Sequence, residues 1–245
     1  MPRYKLTLEY DGGGFVGWQR QENGLSIQEA VENAVHRFCG EHVHVYSAGR
    51  TDSGVHALAM AAHLDLETSW PVKTIRDALN FHLRPAPISI LSVELAADDF
   101  HARFSCVRRA YEYRIINRRA PLALDRGRAW RVAVRLDAEA MHDAAQVLVG
   151  RHDFTTFRSA KCQSASPVKS VEEISVMRLA EDIFIRCSAR SFLHNQVRSF
   201  AGSLAEVGKG KWRARELKAA LEAKDRAACG PVAPGEGLYF LRADY

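Results

Sequence analysis

Residues 48–57 read Ala-Gly-Arg-Thr-Asp-Ser-Gly-Val-His-Ala, which sets one carboxylate, Asp52, between two glycines and two residues after Arg50. The glycines suit a turn, because glycine reaches positive φ at no steric cost. A turn needs neither the arginine nor the threonine. The segment therefore also fits an acid held beside a fixed positive charge, where backbone and ligand approach closely. An Asx-turn joining two strands satisfies the same letters, and the rest of the chain must decide between them.

The cations carry the next signal. Arginine outnumbers lysine 26 to 8, and the net charge is +5. Between Arg103 and Arg135 there are ten arginines and only two acids, Glu112 and Asp125, interleaved with Phe104, Tyr111, Tyr113 and Trp130. The planar guanidinium suits bidentate phosphate contacts and stacking on bases. A solvated basic face is the plain alternative; nucleic acid fits better, since basic residues mixed with aromatics supply phosphate contact and base stacking together. Tyr111 and Tyr113 share one face of a strand, either as a core pair or as a stacking platform. Arg198 flanks the apolar stripe of a helix, so it faces either solvent or a cleft, and His194 and Asn195 just before it are equally open.

Other chemistries fit poorly. Gly12-x-Gly14-x-x-Gly17 matches the dinucleotide fingerprint in letters, yet residues 18–24 have no apolar periodicity, so its third glycine does not open a helix. There is no P-loop lysine and no G-x-S-x-G elbow. The five cysteines form no C-x-x-C pair, which argues against a disulfide framework or a cysteine zinc site. His42, His44, His56 and His63 show no ligand spacing, so no metal is expected.

These groups need elements to position them. Residues 4–10 alternate as a half-buried strand. Ser26 and Glu29 form a capping box ahead of a helical face of Ile27, Ala30, Val31, Ala34, Val35 and Phe38, stopped by Gly40. Strands are expected at 43–47, 59–66 and 88–95, with a helix at 72–82 whose Val72, Ile75 and Leu79 point inward. The second half repeats the β-α-β-β-α-β order: a strand at 108–118, a helix capped by Asp137 and closed by Gly150, strands at 171–178 and 182–190, and a helix with Leu193, Val197, Phe200, Ala201, Leu204 and Val207 on one face. An extra helix near 213–223 precedes a strand at 238–243. The expected class is α/β (α+β): two ferredoxin-like split βαβ halves, residues 1–104 and 105–245, with mainly antiparallel sheets meeting around a central basic cleft.

Composition is 47% apolar, as in a globular chain. No apolar run is long enough to cross a bilayer and no signal-peptide core opens the sequence, so a soluble cytoplasmic protein with no membrane partner is expected.

Read in order, several segments resemble the tRNA pseudouridine synthase A (TruA) family. They are Tyr10-Asp11-Gly12 with Gly17-Trp18-Gln19; the run from Gly49 to His56; Phe100-His101-Ala102-Arg103-Phe104-Ser105; Tyr111-Glu112-Tyr113; the run from Asp153 to Arg158; the run from Phe192 to Arg198; and Gly237-Leu238-Tyr239. Each is weak alone, but their order and spacing over nearly the whole chain are specific.

The resemblance implies an isomerase that converts uridine to pseudouridine in the tRNA anticodon arm, at positions 38 to 40, without metal or cofactor. Asp52 matches the essential aspartate, proposed in such enzymes either to attack C1′ or the base, or to remove a sugar proton. A uridine inside the arm must leave its stack to react, at a cost of a few kcal/mol. Arg50 resembles the arginine that fills the vacated space, Tyr111 the tyrosine that stacks on the flipped uracil, and Arg198 the partner of the aspartate. A guanidinium beside a carboxylate favours its ionised form and orients it. For RNA binding the expected residues are Arg20, Phe100, His101, Arg103, Phe104, Arg158, Lys161 and Gln163, reading the shape of the arm through phosphate and sugar. A homodimer is also implied. Three residues depart from the commoner pattern: Ser53 stands in place of alanine, Gln196 of methionine and Ser199 of asparagine.

Overall fold

A strand half-buried on one face should alternate, and β1 (Arg3–Tyr10) does, with Tyr4, Leu6, Leu8 and Tyr10 buried. The computed structural model describes residues 1–245 as two compact units. One comprises Met1–Arg109 together with Phe240–Tyr245, the other Ala110–Tyr239. The family of elements is a mixed α/β one with mainly antiparallel pairing, as the sequence pattern predicts.

In the first unit β1 is followed by α1 (Ile27–Cys39), β2 (Tyr46–Ser47), β3 (His56–Asp65), α2 (Val72–His82) and β4 (Ile88–Ala96), the expected β-α-β-β-α-β order. The strand order is β4-β1-β3-β10, where β10 is Leu238–Asp244, and β2 pairs with β3. β1 runs antiparallel to both neighbours, with Tyr10 opposite Ala57. The side chain of Ser26 accepts the Glu29 N–H at 3.2 Å, which starts α1, and Gly40 ends it in the left-handed conformation at φ 80°. Ile27, Val31, Ala34 and Val35 are buried, as the stripe predicts. Ile75 and Leu79 do the same for α2, but Val72 opens that helix and remains 40% exposed, so it is not inward as expected. The strand expected at 43–47 shrinks to the two residues of β2.

The second unit contains β5 (Arg108–Ile116) from Ala110 onward, β6 (Trp130–Arg131), α3 (Ala138–Ala145), β7 (Gly150–Asp153), β8 (Val168–Leu179), β9 (Asp182–Ala189), α4 (Gln196–Gly208) and α5 (Ala214–Ala223). Its strands lie in the order β5-β9-β8-β7, with β6 parallel to β5. Asp137 caps α3 by accepting the Ala140 N–H at 3.0 Å. Phe200 of α4 packs edge-on against Phe154 and Phe157, with ring centres 5.4 and 5.1 Å away, and all three are fully buried. Aromatic pairs in this geometry add about 0.5–1.5 kcal/mol each beyond the area they bury. No helix is long and apolar enough to cross a membrane.

Candidate active site

The segment carrying Asp52 leaves β2 and returns into β3, and its backbone is pinned on both sides of the acid. Before it, the Thr51 carbonyl accepts the Trp18 N–H at 3.0 Å, and the buried Thr51 hydroxyl meets the Tyr10 hydroxyl at 2.8 Å. After it, the Val55 N–H donates to the Asp52 carbonyl at 3.2 Å across Gly54, whose φ is 76°. The Ser53 hydroxyl donates to the Phe15 carbonyl at 3.0 Å, so the departure from alanine here adds a tether. His56 is buried; its Nδ1 accepts the Gly12 N–H at 3.1 Å and lies 3.1 Å from the Asp11 carboxylate.

The glycines of the 12–17 segment explain how this loop is held. A Cβ on Gly12 would lie 2.0 Å from the Val55 carbonyl oxygen. One on Gly17, whose φ is 113°, would lie 2.7 Å from the Thr51 carbonyl oxygen. Two glycines that match a dinucleotide fingerprint in letters thus serve backbone-to-backbone contact with the Asp52 loop. Asp52 itself is half-buried and Arg50 exposed.

Arginine surrounds the loop within this unit. The buried Arg109 donates from Nε to the Ala48 carbonyl at 2.7 Å and from Nη2 to the Arg103 carbonyl at 2.6 Å, tying the start of the loop to residues 101–104. Partial burial, then the charges of Arg50 and Arg109, hold the Arg103 guanidinium below its ordinary pKa. Three guanidinium groups sharing one field form a place that attracts anions. Arg109 escaped the sequence reading because nothing in the basic run marks one arginine as buried.

Phe100, His101, Arg103 and Phe104 lie together on this unit. His101 Nδ1 accepts the N–H groups of Arg103 at 3.1 Å and Phe104 at 3.4 Å. Phe100 is half-buried, with its ring 4.9 Å from that of Tyr245. Arg20 is exposed but faces Glu29 and Glu32 at 3.9 and 3.3 Å, so part of its charge is already answered.

The remaining expected residues lie in the second unit. Tyr111 on β5 is buried, with its ring edge-on to Phe192 at 5.2 Å. Tyr113 is fully buried and donates to the Pro234 carbonyl at 2.8 Å, which makes it a core residue; burial raises its pKa far above the ordinary phenol range. Arg198 sits in the first turn of α4 and donates from Nε to the Ala233 carbonyl at 2.8 Å and from Nη1 to the Asn195 side chain at 3.0 Å. Asn195 takes the left-handed conformation, φ 64°, so α4 starts at Gln196 and not at Leu193 as the apolar stripe predicts. Gln196 accepts the Leu193 N–H at 2.8 Å, while its amide nitrogen and the Ser199 hydroxyl are buried with no hydrogen-bond partner. Arg158 is half-buried, and Lys161 and Gln163 are exposed on the loop ahead of β8. Much of the basic run is structural: Arg114 pairs with Asp125 and Asp182 at 2.7 Å, and Arg118 with Glu181 at 3.1 Å. No group of histidine, cysteine or acidic residues could hold a metal ion.

Chemically, a half-buried carboxylate on a loop whose backbone is pinned, with arginines in the same unit, suits nucleophilic or proton-transfer work on a substrate that brings negative charge. The comparisons with known proteins agree with that class. A family model described as tRNA pseudouridine synthase matches residues 7–105 and 144–245. The chain is similar to proteins named tRNA pseudouridine synthase A from Parvibaculum lavamentivorans, 62% identical over all of both chains. It is 60% identical to another of that name from Maricaulis maris, over all of this chain and 98% of that one. A crystal structure of a Cbf5-Nop10-Gar1 complex is alike over 97% of this chain and 48% of that one, with a TM-score of 0.39 and 10% identity, too slight to bear on the fold. The chain belongs to the tRNA pseudouridine synthase family, whose members isomerise uridine to pseudouridine in tRNA.

Proposed function

We propose that this isomerase acts on uridines at positions 38 to 40 in the anticodon arm of tRNA, in the cytoplasm and as a homodimer, with Asp52 as its catalytic carboxylate. The N1–C1′ bond breaks, the uracil turns, a C5–C1′ bond forms, and the proton leaving C5 is balanced by one gained at N1. No atom is added or removed. The observation that carries the reading is the Asp52 loop, fixed at Thr51 and Val55 and set among Arg50, Arg103 and Arg109. Such rigidity matters because a misplacement of about 1 Å at a reacting group costs about a hundredfold in rate.

Arg50, exposed beside the acid, fills the space the uridine vacates. Tyr111 stacks on the flipped base and assists loss of the C5 proton. Arg198 binds the substrate, and lysine does not replace it, because a point charge lacks the planar fork. Two chemistries are open to Asp52: attack at C1′ or the base, and removal of a sugar proton.

The test uses tRNA carrying tritium at C5 of uridine. Wild-type protein releases tritium, Asp52→Asn does not, and both bind the tRNA. Equal release by the two proteins removes Asp52 from the reaction.

A further inference from the structure

Next to the Asp52 loop lies a cluster of rings that no catalytic role accounts for. The register of β2 on β3 sets Tyr46 opposite His63, and their rings stack at 4.9 Å and 16°. His101 lies 5.3 Å from Tyr46 and 4.7 Å from His63, and Phe104 follows at 4.3 Å from His101. The inner rings are covered and the outer ones are not: His63 is 1% exposed, Tyr46 43% and Phe104 71%.

The chain around these rings is rigid. Ala102 donates to His63 Nδ1 at 3.1 Å, the His101 N–H to the Ser105 hydroxyl at 2.9 Å, and Arg109 grips the Arg103 carbonyl. Backbone N–H groups aimed at Nδ1 of both histidines require neutral rings. Partial burial, then the charge of Arg3, lowers the pKa of His101 in the same sense. A mobile loop could fold such an exposed phenylalanine away, but this one is held out. Its flank is cationic, with the Arg103 guanidinium 5.7 Å from the Phe104 ring centre and Arg50 in the same field.

We propose that Tyr46, His101 and Phe104 form a stacking platform for an unpaired base of the RNA other than the reacting uridine, with Arg103 against its phosphate. Neutral aromatic faces beside arginines are what a splayed base and its phosphate need, and stacking tolerates any base because each has a π-face. The platform would hold the arm while the uridine leaves its stack. This inference rests on tRNA being the substrate.

The experiment measures the dissociation constant of an unmodified tRNA transcript over a range of salt concentrations. Phe104→Ala and Tyr46→Ala each weaken binding about tenfold, with the salt dependence unchanged, because no phosphate contact is lost. Phe104→Trp restores affinity. Arg103→Ala weakens binding and makes the salt slope shallower by about one. Phe81→Ala, an equally exposed phenylalanine on α2 at 66%, binds as wild type and serves as the control. Phe104 is exposed enough that its truncation leaves the fold intact, which a melting curve checks. Wild-type affinity in Phe104→Ala, or a loss no larger than that of Phe81→Ala, overturns the platform. Failure of the wild-type protein to turn over tRNA would instead overturn the functional reading beneath it.

Discussion

His63 is a histidine that the fold keeps neutral. Burial first, then the charges of His101 and Arg3, lowers its pKa from 6.5 to about 4, against a smaller opposing pull from Asp65; His44 adds to the lowering. In the unfolded chain the ring gains its proton as pH falls through about 6.5; in the folded chain it does so only near 4. Between those values the unfolded state binds more protons, so stability present above pH 6.5 is lost progressively as pH falls. Urea titrations of the wild type between pH 7 and 4 should show that decline. His63→Gln, which keeps an acceptor for the Ala102 N–H, should show a flatter one; parallel curves would remove His63 as the cause. His101 titrates in the same sense and supplies the slope that remains. None of this was visible in the sequence, where His63 was one of four histidines without ligand spacing.

At the scale of elements, the 12–17 segment and the Asp52 loop form one device. Gly12→Ala would drive a methyl group into the Val55 carbonyl, with backbone on both sides and no flexible end to yield. Gly14→Ala, two residues on, meets nothing within 4 Å. The first should cost at least about 2 kcal/mol of stability and most of the turnover, the second almost nothing. Melting temperatures and tritium release for the pair decide it, and equal behaviour of the two variants would refute the close-packing account. Where apolar period and capping chemistry coincide, the sequence was legible: Ser26 starts α1, Asp137 starts α3, and the stripe of α4 is buried from Val197 to Val207. Illegible were features set by single backbone torsions or by partners far along the chain. Leu193 extends the apolar stripe of α4, but the left-handed Asn195 keeps it outside the helix. The four residues of β7, Gly-Arg-His-Asp, have no alternation to betray a strand that exists through its pairing with β8. The Asp52 loop could be recognised by its letters, while its rigidity came from Gly12, Gly17, Tyr10 and Arg109, none of them its neighbours in sequence.

For the whole molecule, the question is what an excess of five positive charges does. Not all the arginines are available, since Arg3 is tied to Asp65, Arg114 to two aspartates and Arg186 to Glu112. Those left exposed supply affinity for a polyanion by releasing its counterions, a term that salt removes. Affinity for tRNA should therefore fall at least about tenfold between about 50 and 200 mM salt. Binding that ignores salt over that range would mean that shape and stacking alone hold the RNA. Arginine-rich composition announced this term early, but it could not separate cations spent on ion pairs from those left for phosphate.

The unit that carries Asp52 is discontinuous, built from Met1–Arg109 and Phe240–Tyr245. The Asp244 carbonyl accepts the Val107 N–H at 2.9 Å, and the Tyr245 hydroxyl donates to the Ala102 carbonyl at 2.8 Å, both against the segment that Arg109 ties to the Asp52 loop. A ribosome delivers residues in order, so the earliest part of the chain must wait for the latest before this unit is complete. A nascent chain stalled within the second unit has already made its aspartate but lacks the residues that brace its surroundings. Such a fragment keeps the tethers of the Asp52 loop at Tyr10, Gly12, Gly17 and Arg109, and it lacks the two bonds that hold residues 102–107 behind them.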